Sequence, residues 1–168
     1  MTRAEFLSDM QALLDGEGIR HFRAHELCDV GREKRVTRPR GKVEVVRLEA
    51  PPRALWPNII PTLHVAEWLR ERCGKPIDVT SGYRDPAYNA ANGGAEAGLH
   101  QDFCALDIVV RDWVPLDVAL LLLDHPDARL LGIWPYSGWV HVDTRGLLGR
   151  VAPARWGTPT NWWLQRRA

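Results

Sequence analysis

Residues 100–110 read HQDFCALDIVV, and residues 139–143 read WVHVD. Aliphatic side chains dominate the second half of the first stretch and alternate with polar ones in the second, which predicts two β-strands. Because side chains alternate between the two faces of a strand, His141 and Asp143 share one face. Asp107 is a carboxylate within a strongly apolar strand. An unpaired carboxylate is costly to bury, so Asp107 needs a partner.

A metal ion would be one such partner. If the two strands are neighbours in a sheet, Asp107 and His141 converge, and His100 in the preceding loop can reach the same face. Two histidines and a carboxylate, with a fourth position open, form a set of ligands that suits a catalytic zinc ion. The residues also permit a structure without metal, in which His141 is a hydrogen-bonded core histidine and Asp107 pairs with an arginine.

The composition indicates a soluble globular chain. The 168 residues are 45% hydrophobic and 26% charged, with a net charge of +1, which argues against binding of nucleic acid or membranes through a global charge. No apolar run approaches the ~20 residues of a spanning helix. Three widely spaced cysteines without a Cys-x-x-Cys pair predict buried free thiols. Eight tryptophans are compatible with a sugar- or peptide-binding cleft, although core packing accounts for most of them.

Helices and short strands without a regular βαβ rhythm predict an α+β fold. A capping box at Thr2 and Glu5 begins an amphipathic helix within residues 1–20. Residues 32–47 predict a solvated β-hairpin, because they combine alternating valines, a Pro-Arg-Gly turn and seven basic side chains. The chain is expected to form a single domain over residues 1–168, with a Trp-rich tail at 157–168.

Several motifs, taken in order along the chain, resemble the zinc D-alanyl-D-alanine carboxypeptidase family of peptidoglycan metallopeptidases. This family shares its fold with the hedgehog signalling domain and resembles the lysostaphin-type peptidases. The resemblance covers about residues 22–156. It is carried by Ser81-Gly82-Tyr83-Arg84, Tyr88-Asn89, Gly93-Gly94-Ala95, His100 with Ala105-x-Asp107, Gly132-Ile133, Tyr136 and Val140-His141-Val142-Asp143.

The resemblance implies a Zn²⁺ ion held by His100, Asp107 and His141 on a small antiparallel sheet with flanking helices. It implies hydrolysis of peptide bonds in peptidoglycan stem peptides or cross-links, by a D,D-carboxypeptidase or an endopeptidase. Arg84 matches the family arginine near the substrate and the zinc, where its fork of donors suits a carboxylate or a carbonyl oxygen. Ser81 belongs to the same substrate-binding motif.

Three positions depart from the family pattern. Leu99 stands where a serine usually precedes the first histidine, and Phe103 stands where a glycine usually follows it. A bulky ring at Phe103 is expected to reshape or block the cleft. Gly138 occupies the position at which many members carry an acidic general base. These departures leave open an alternative function, a catalytically inactive module that binds cell wall or a partner and retains the zinc peptidase fold.

Asp143 is the candidate for the missing base, because it lies two residues from His141 on the same strand face. A role in orienting a ligand histidine, or a pair with Arg145, is an equal alternative. Tyr83 and Tyr136 are further candidates for contacts with the substrate, as donors to the oxyanion.

The remaining expectations concern location and partners. The N-terminus lacks the pattern of a secretory signal, which predicts synthesis in the cytoplasm and action on the cell wall after lysis or by non-standard export. The expected partners are peptidoglycan peptides, with no nucleic acid and no transmembrane segment, and the chain is expected to be a monomer.

Overall fold

The computed structural model describes residues 1–156 and 162–164. Its fold is α+β, as predicted, with five α-helices and seven β-strands in the described part of the chain. The helices are α1 (Arg3–Gly16), α2 (Ala24–Leu27), α3 (Ile59–Cys73), α4 (Pro86–Ala91) and α5 (Pro115–Leu122). The strands are β1 (Glu33–Thr37), β2 (Val43–Arg47), β3 (Ile77–Ser81), β4 (Ala105–Val110), β5 (Gly132–Pro135), β6 (Val140–Asp143) and β7 (Ala154–Arg155).

The main sheet has the strand order β3-β4-β6-β5-β7. Its first four strands pair antiparallel, as the resemblance implied. Strand β7 was not predicted, and it pairs parallel to β5, so the complete sheet is mixed. A two-residue strand has too short a pattern to be recognised in the sequence.

Strand β4 lies inside the sheet, between β3 and β6. Only Val109 among its residues is more than slightly exposed, which explains why the strand is apolar on both faces. Its single charged residue, Asp107, is therefore fixed in the centre of the sheet, where a displaced strand would leave the carboxylate unpaired. The core around it includes Leu63, Ala66 and Leu69 from α3 and Val118, Ala119 and Leu122 from α5.

The N-terminal helix and the basic hairpin form as predicted. Thr2 and Glu5 make the reciprocal hydrogen bonds of a capping box, and α1 buries Phe6, Met10 and Leu14. Strands β1 and β2 form a separate two-stranded sheet.

Two further expectations concern the cysteines and the tail. All three cysteines are free, and Cys28 and Cys104 are buried, whereas Cys73 is only half-buried. Most of the Trp-rich tail lies outside the described residues. Within residues 162–164 the Trp162 ring is buried, and its indole nitrogen donates to the carbonyl of Trp156. No helix in the described ranges is long and apolar enough to cross a bilayer.

Candidate metal centre

The antiparallel register of β4 and β6 places Asp107 directly opposite His141, as strand parity predicted. His141 Nδ1 lies 3.0 Å from Asp107 Oδ1, and His100 Nε2 lies 3.2 Å from the same oxygen. All three side chains are buried, and their ligand atoms lie within 4.8 Å of one another. The sheet and the preceding loop thus bring the three predicted metal ligands together.

His100 is oriented by the backbone of the motif that precedes it. Its Nδ1 lies 2.6 Å from the carbonyl oxygen of Gly82, and a carbonyl can only accept, so Nδ1 carries the hydrogen. Gly82 must be a glycine, because a Cβ there would lie 2.2 Å from the carbonyl oxygen of Leu27. The close passage of these two backbone segments therefore sets the position of a ligand histidine.

His141 is oriented by a hydrogen bond to Asp143, on the side of its ring away from Asp107. Its Nε2 lies 2.9 Å from Asp143 Oδ2, which leaves Nδ1 facing Asp107. Asp143 is fully buried and also accepts hydrogen bonds from the backbone nitrogen and the guanidinium of Arg145. Gly132 lies opposite Asp143 on β5, and a Cβ at Gly132 would lie 2.4 Å from the carboxylate. The carboxylate thus packs tightly behind the histidine and does not line the cleft.

Arg84 occupies the other side of Asp107. Its Nη2 donates to Asp107 Oδ2 over 2.7 Å, and its Nε donates to the hydroxyl of Ser81 over 2.8 Å. The two carboxylate oxygens of Asp107 therefore differ, since Oδ1 faces the histidines and Oδ2 faces the arginine. This arrangement includes the predicted aspartate–arginine pair without excluding a metal ion.

The ionisation of the trio suits a cation. Burial would raise the pKa of Asp107, but its interactions with the imidazoles of His100 and His141 outweigh burial and hold that pKa well below its usual range. Burial lowers the pKa of His100, despite the opposing effect of Asp107. Burial would also lower the pKa of His141, but hydrogen bonds with Asp107 and Asp143 raise it instead. These are the responses expected where carboxylates and imidazoles converge.

These donor atoms fit a divalent metal. A neutral His100 with its hydrogen on Nδ1 turns the lone pair of Nε2 towards Asp107 Oδ1. A lone pair and a carboxylate oxygen that face each other at this distance need a cation or a proton between them. Two imidazole nitrogens and one carboxylate oxygen are common ligands of zinc.

A cleft of about 340 Å³ opens over the three residues. One of its walls is aromatic, and we call it the aromatic wall; it consists of Trp134, Tyr136, Trp139 and Trp156. The Tyr136 ring stacks between Trp134 and Trp139, with centroids 4.5 Å away on each side. The rest of the lining includes small or polar residues, namely Asn89, Asn92, Gly93, Gly94, Ala95 and Gly98.

A family model described as Peptidase M15 matches residues 32–143, which is more than half of the chain. The chain belongs to the peptidase M15 family. The match confirms the resemblance to the zinc D-alanyl-D-alanine carboxypeptidases. No curated protein matches the chain, and no solved structure matches it. M15 peptidases are metal-dependent, and the converging trio of this chain is the cluster that could hold the metal.

Among the other predicted site residues of this M15 peptidase, Arg84 and Tyr136 line the cleft. Ser81 does not line it and acts on it only through Arg84. Tyr83 lies elsewhere, because its ring packs edge-on against Phe103 and borders a different cavity behind β3. Burial, with smaller effects of Asp85 and Cys28, raises the pKa of Tyr83 to about 12. The predicted oxyanion role of Tyr83 therefore has no support in the geometry.

Phe103 does not block the cleft of this M15 peptidase. Its φ of 53° lies in the left-handed region that glycine adopts without strain, which explains the usual glycine at this position. The phenylalanine ring is fully buried and packs on Tyr83, with centroids 5.6 Å apart. The expected obstruction was wrong, because the left-handed backbone directs the ring into the core.

The aromatic wall was the part of the site that the sequence indicated least. Parity placed Trp139 on the face of His141, and the structure agrees, with Trp139 at the mouth of the cleft and 37% exposed. The contribution of Trp156 depends on the unpredicted strand β7, after which it lies. Among the described residues that line the cleft, Asp107 is the only carboxylate.

Proposed function

We propose that this chain is a zinc-dependent peptidase that hydrolyses peptide bonds of peptidoglycan stem peptides or cross-links. The observation that carries the proposal is the convergence of His100, Asp107 and His141 beneath an open cleft. Membership of the M15 family supports a peptidase, and the cleft provides room for an extended peptide beside the ligands.

His100 Nε2, Asp107 Oδ1 and His141 Nδ1 would hold the zinc ion. When bound there, zinc supplies a Lewis acid that activates water and polarises the scissile carbonyl. The protein contributes the geometry, since Gly82 fixes the ring of His100, and Arg84 fixes the carboxylate of Asp107. Supports of this kind typically change metal affinity or activity by about 10–100-fold when they are removed.

Substrate contacts are assigned to Arg84 and Tyr136. The Arg84 guanidinium borders the cleft next to Asp107, where it can donate to a carbonyl or carboxylate of the peptide. The pKa of Tyr136 is raised by burial and by Asp107, so the phenol keeps its proton and can donate it to a developing oxyanion. The aromatic wall around Tyr136 provides apolar surface for the rest of the substrate.

Asp143 is proposed to act through His141. It is fully buried, and both of its oxygens accept hydrogen bonds, so it cannot reach a water molecule in the cleft. Its charge instead keeps the hydrogen of the His141 ring on Nε2 and the lone pair on Nδ1, which is the tautomer that a metal requires. Of the two roles that the sequence left open, the geometry favours the orienting one.

The absence of a second carboxylate among the described cleft residues favours one competing function, an inactive module that binds peptidoglycan without cleaving it. A single experiment separates the two functions. Purified protein is loaded with one equivalent of zinc and incubated with peptidoglycan of several stem-peptide types. The newly formed amino groups are then counted, and the products are identified by mass spectrometry.

The proposal predicts zinc-dependent release of peptide fragments or D-alanine from at least one of these wall types. Removal of zinc with a chelator and the variant His141→Ala should each abolish release, whereas His25→Ala, which changes an exposed histidine that does not line the cleft, should keep it. A zinc-loaded protein that binds peptidoglycan but cleaves none of the wall types would contradict the proposal and support the inactive module.

A further inference from the structure

The basic hairpin, defined as residues 32–47, concentrates the positive charge of the molecule. It has seven basic and two acidic side chains, a net charge of +5, whereas the whole chain has a net charge of +1. The remainder of the chain therefore carries a net charge of −4. A nearly neutral protein with this separation of charge presents one cationic face to its surroundings.

Part of the charge of the hairpin is not neutralised locally. Arg38 pairs with Glu44, and Arg47 pairs with Glu33. Four further basic residues form no ion pair and no side-chain hydrogen bond within the described ranges; they are Arg32, Arg35, Arg40 and Lys42. Arg32 precedes β1, Arg35 lies on β1, and the last two lie in and next to the turn that joins the strands. They are exposed and free to meet an anionic partner.

The outer face of the hairpin is also apolar. The register places Arg35 opposite Val45, and Thr37 opposite Val43, on one face. Val43 is 59% exposed and Val45 is 47% exposed, whereas Val46, which points to the opposite face, is buried. Amphipathic helices bind a membrane interface through apolar side chains next to Lys and Arg, and the outer face of this hairpin presents the same two kinds of group.

We propose that the basic hairpin docks this protein on the surface of an anionic phospholipid bilayer. Lipid phosphates would meet Arg35, Arg40 and Lys42, and the two valines would enter the region between headgroups and acyl chains. A soluble anionic polymer, such as a polyphosphate or a nucleic acid, would match the cations but would give the valines no apolar environment. The valines therefore favour the bilayer over a polymer.

The position of the hairpin relates the proposed docking to the cleft. Lys34 on β1 donates to the amide oxygen of Asn92 over 2.9 Å, and Asn92 lines the cleft above the three metal ligands. Lys34 and Arg35 are neighbours on β1, so their side chains lie on opposite faces, and a bilayer bound to the outer face would lie across the hairpin from Asn92 and the cleft. Docking would hold the whole protein, and the cleft with it, at a membrane surface. The inference does not depend on the proposed peptidase activity.

The test is co-sedimentation of the zinc-loaded full chain with lipid vesicles. One set of vesicles contains phosphatidylcholine alone, and the other contains phosphatidylcholine with phosphatidylglycerol. Three variants are compared with the parent protein: Arg35→Gln/Arg40→Gln/Lys42→Gln, Val43→Ser/Val45→Ser, and a control with the same loss of charge elsewhere, Arg70→Gln/Arg72→Gln/Arg111→Gln. Thermal unfolding checks that each variant is folded.

The parent should bind only the anionic vesicles, and binding should weaken as salt is added. Each basic side chain near an anionic surface strengthens binding by about fivefold. The hairpin charge variant lacks three of them, so its partitioning onto the vesicles should fall by about a hundredfold, and that of the control should fall much less. The valine variant should also bind more weakly. The inference is overturned if the parent protein does not bind anionic vesicles. It is also overturned if the hairpin charge variant and the charge-matched control lose binding to the same extent. It is equally overturned if the valine variant binds like the parent while soluble polyphosphate displaces the protein from lipid.

Discussion

At the scale of single residues, Asp143 determines how His141 is presented to a metal ion. A buried carboxylate that orients a ligand histidine affects metal binding, whereas a general base affects only the chemical step. The variant Asp143→Asn keeps the size of the side chain and removes its charge. We expect it to weaken zinc binding by about 10–100-fold. Competition with a chromogenic chelator measures the affinity.

The matched control for this prediction is Asp102→Asn, since Asp102 is a more exposed carboxylate that pairs with Arg150. The control should bind zinc like the parent. If Asp143→Asn binds zinc with full affinity but has lost its activity, Asp143 is the base and the orienting role is wrong.

Gly138 offers a second prediction at this scale. The resemblance places an acidic base three residues before the second ligand histidine, and a Cβ at Gly138 would contact nothing within 4 Å. We expect Gly138→Asp to fold normally and to increase kcat by at least about tenfold, because a positioned base typically contributes about 10²–10⁴-fold. Steady-state hydrolysis of a muropeptide measures the effect.

The variant Gly138→Asn introduces a side chain of the same shape without a base. It should leave kcat near that of the parent. Equal increases for the asparagine and aspartate variants would show that the gain comes from a change in loop conformation and not from proton transfer.

At the scale of secondary structure elements, the positions of side chains on regular strands could be predicted better than those of side chains in loops. The alternation of β4 and β6 was sufficient to predict that Asp107 and His141 meet, because a period of two fixes the face of every residue on a strand. The resemblance did not give the direction of the Tyr83 ring, and alternation could not supply it, because Tyr83 lies two residues beyond the end of β3. The orientation of Phe103 depends on a left-handed backbone, and the sequence alone does not specify that conformation for a phenylalanine.

The end of β3 provides a prediction for an element. In Gly82→Ala the new methyl group would collide with the carbonyl of Leu27, so the strand end must move, and the carbonyl that orients His100 moves with it. We expect a loss of about 1–3 kcal/mol in the free energy of unfolding and weaker zinc binding. Chemical denaturation of the metal-free protein, followed by a zinc titration, measures both effects.

Gly16→Ala is the matched control, because Gly16 ends α1 with nothing within 4 Å of a new Cβ. It should leave zinc affinity unchanged and should not lower the free energy of unfolding, because alanine fits a helical position without strain. Unchanged stability and zinc affinity in Gly82→Ala would mean that the approach of these two backbone segments does not position His100.

At the scale of the whole molecule, Glu67 ties the segment after α1 to α3. Its nearly buried carboxylate accepts hydrogen bonds from the backbone nitrogens of Arg20 and His21, and it lies 2.5 Å from the His21 ring. Burial would raise the pKa of Glu67, but these hydrogen bonds outweigh burial and lower it. A lowered folded-state pKa means that the stabilisation is complete above the ordinary glutamate pKa and is lost as pH falls below it.

We therefore expect Glu67→Gln to destabilise the protein at pH 7 by about 1–3 kcal/mol, because two part-buried backbone donors lose a charged acceptor. The difference from the parent should shrink as the pH is lowered through the acidic range. Denaturant unfolding at a series of pH values measures it, with the exposed Glu71→Gln as control. A difference that is independent of pH would show that the charge of Glu67 does not contribute.

The general architecture and the metal trio could be predicted from the sequence, because they depend on strand periodicity and on ordered motifs. The walls of the cleft could not, since Trp134, Trp139 and Trp156 come together only through the pairing of β5 with β6 and with β7. The basic hairpin was predicted as an element. Its relation to the cleft, through Lys34 and Asn92, became visible only in three dimensions.

The central claim is that His100, Asp107 and His141 form a zinc site, and X-ray absorption spectroscopy of the zinc-loaded protein tests it most directly. We predict one zinc ion per chain, with two imidazole nitrogens and oxygen ligands at about 2.0–2.2 Å and no sulfur. His100→Ala, Asp107→Ala and His141→Ala should each lower the occupancy. A sulfur shell at about 2.3 Å, or full occupancy in all three variants, would contradict the account.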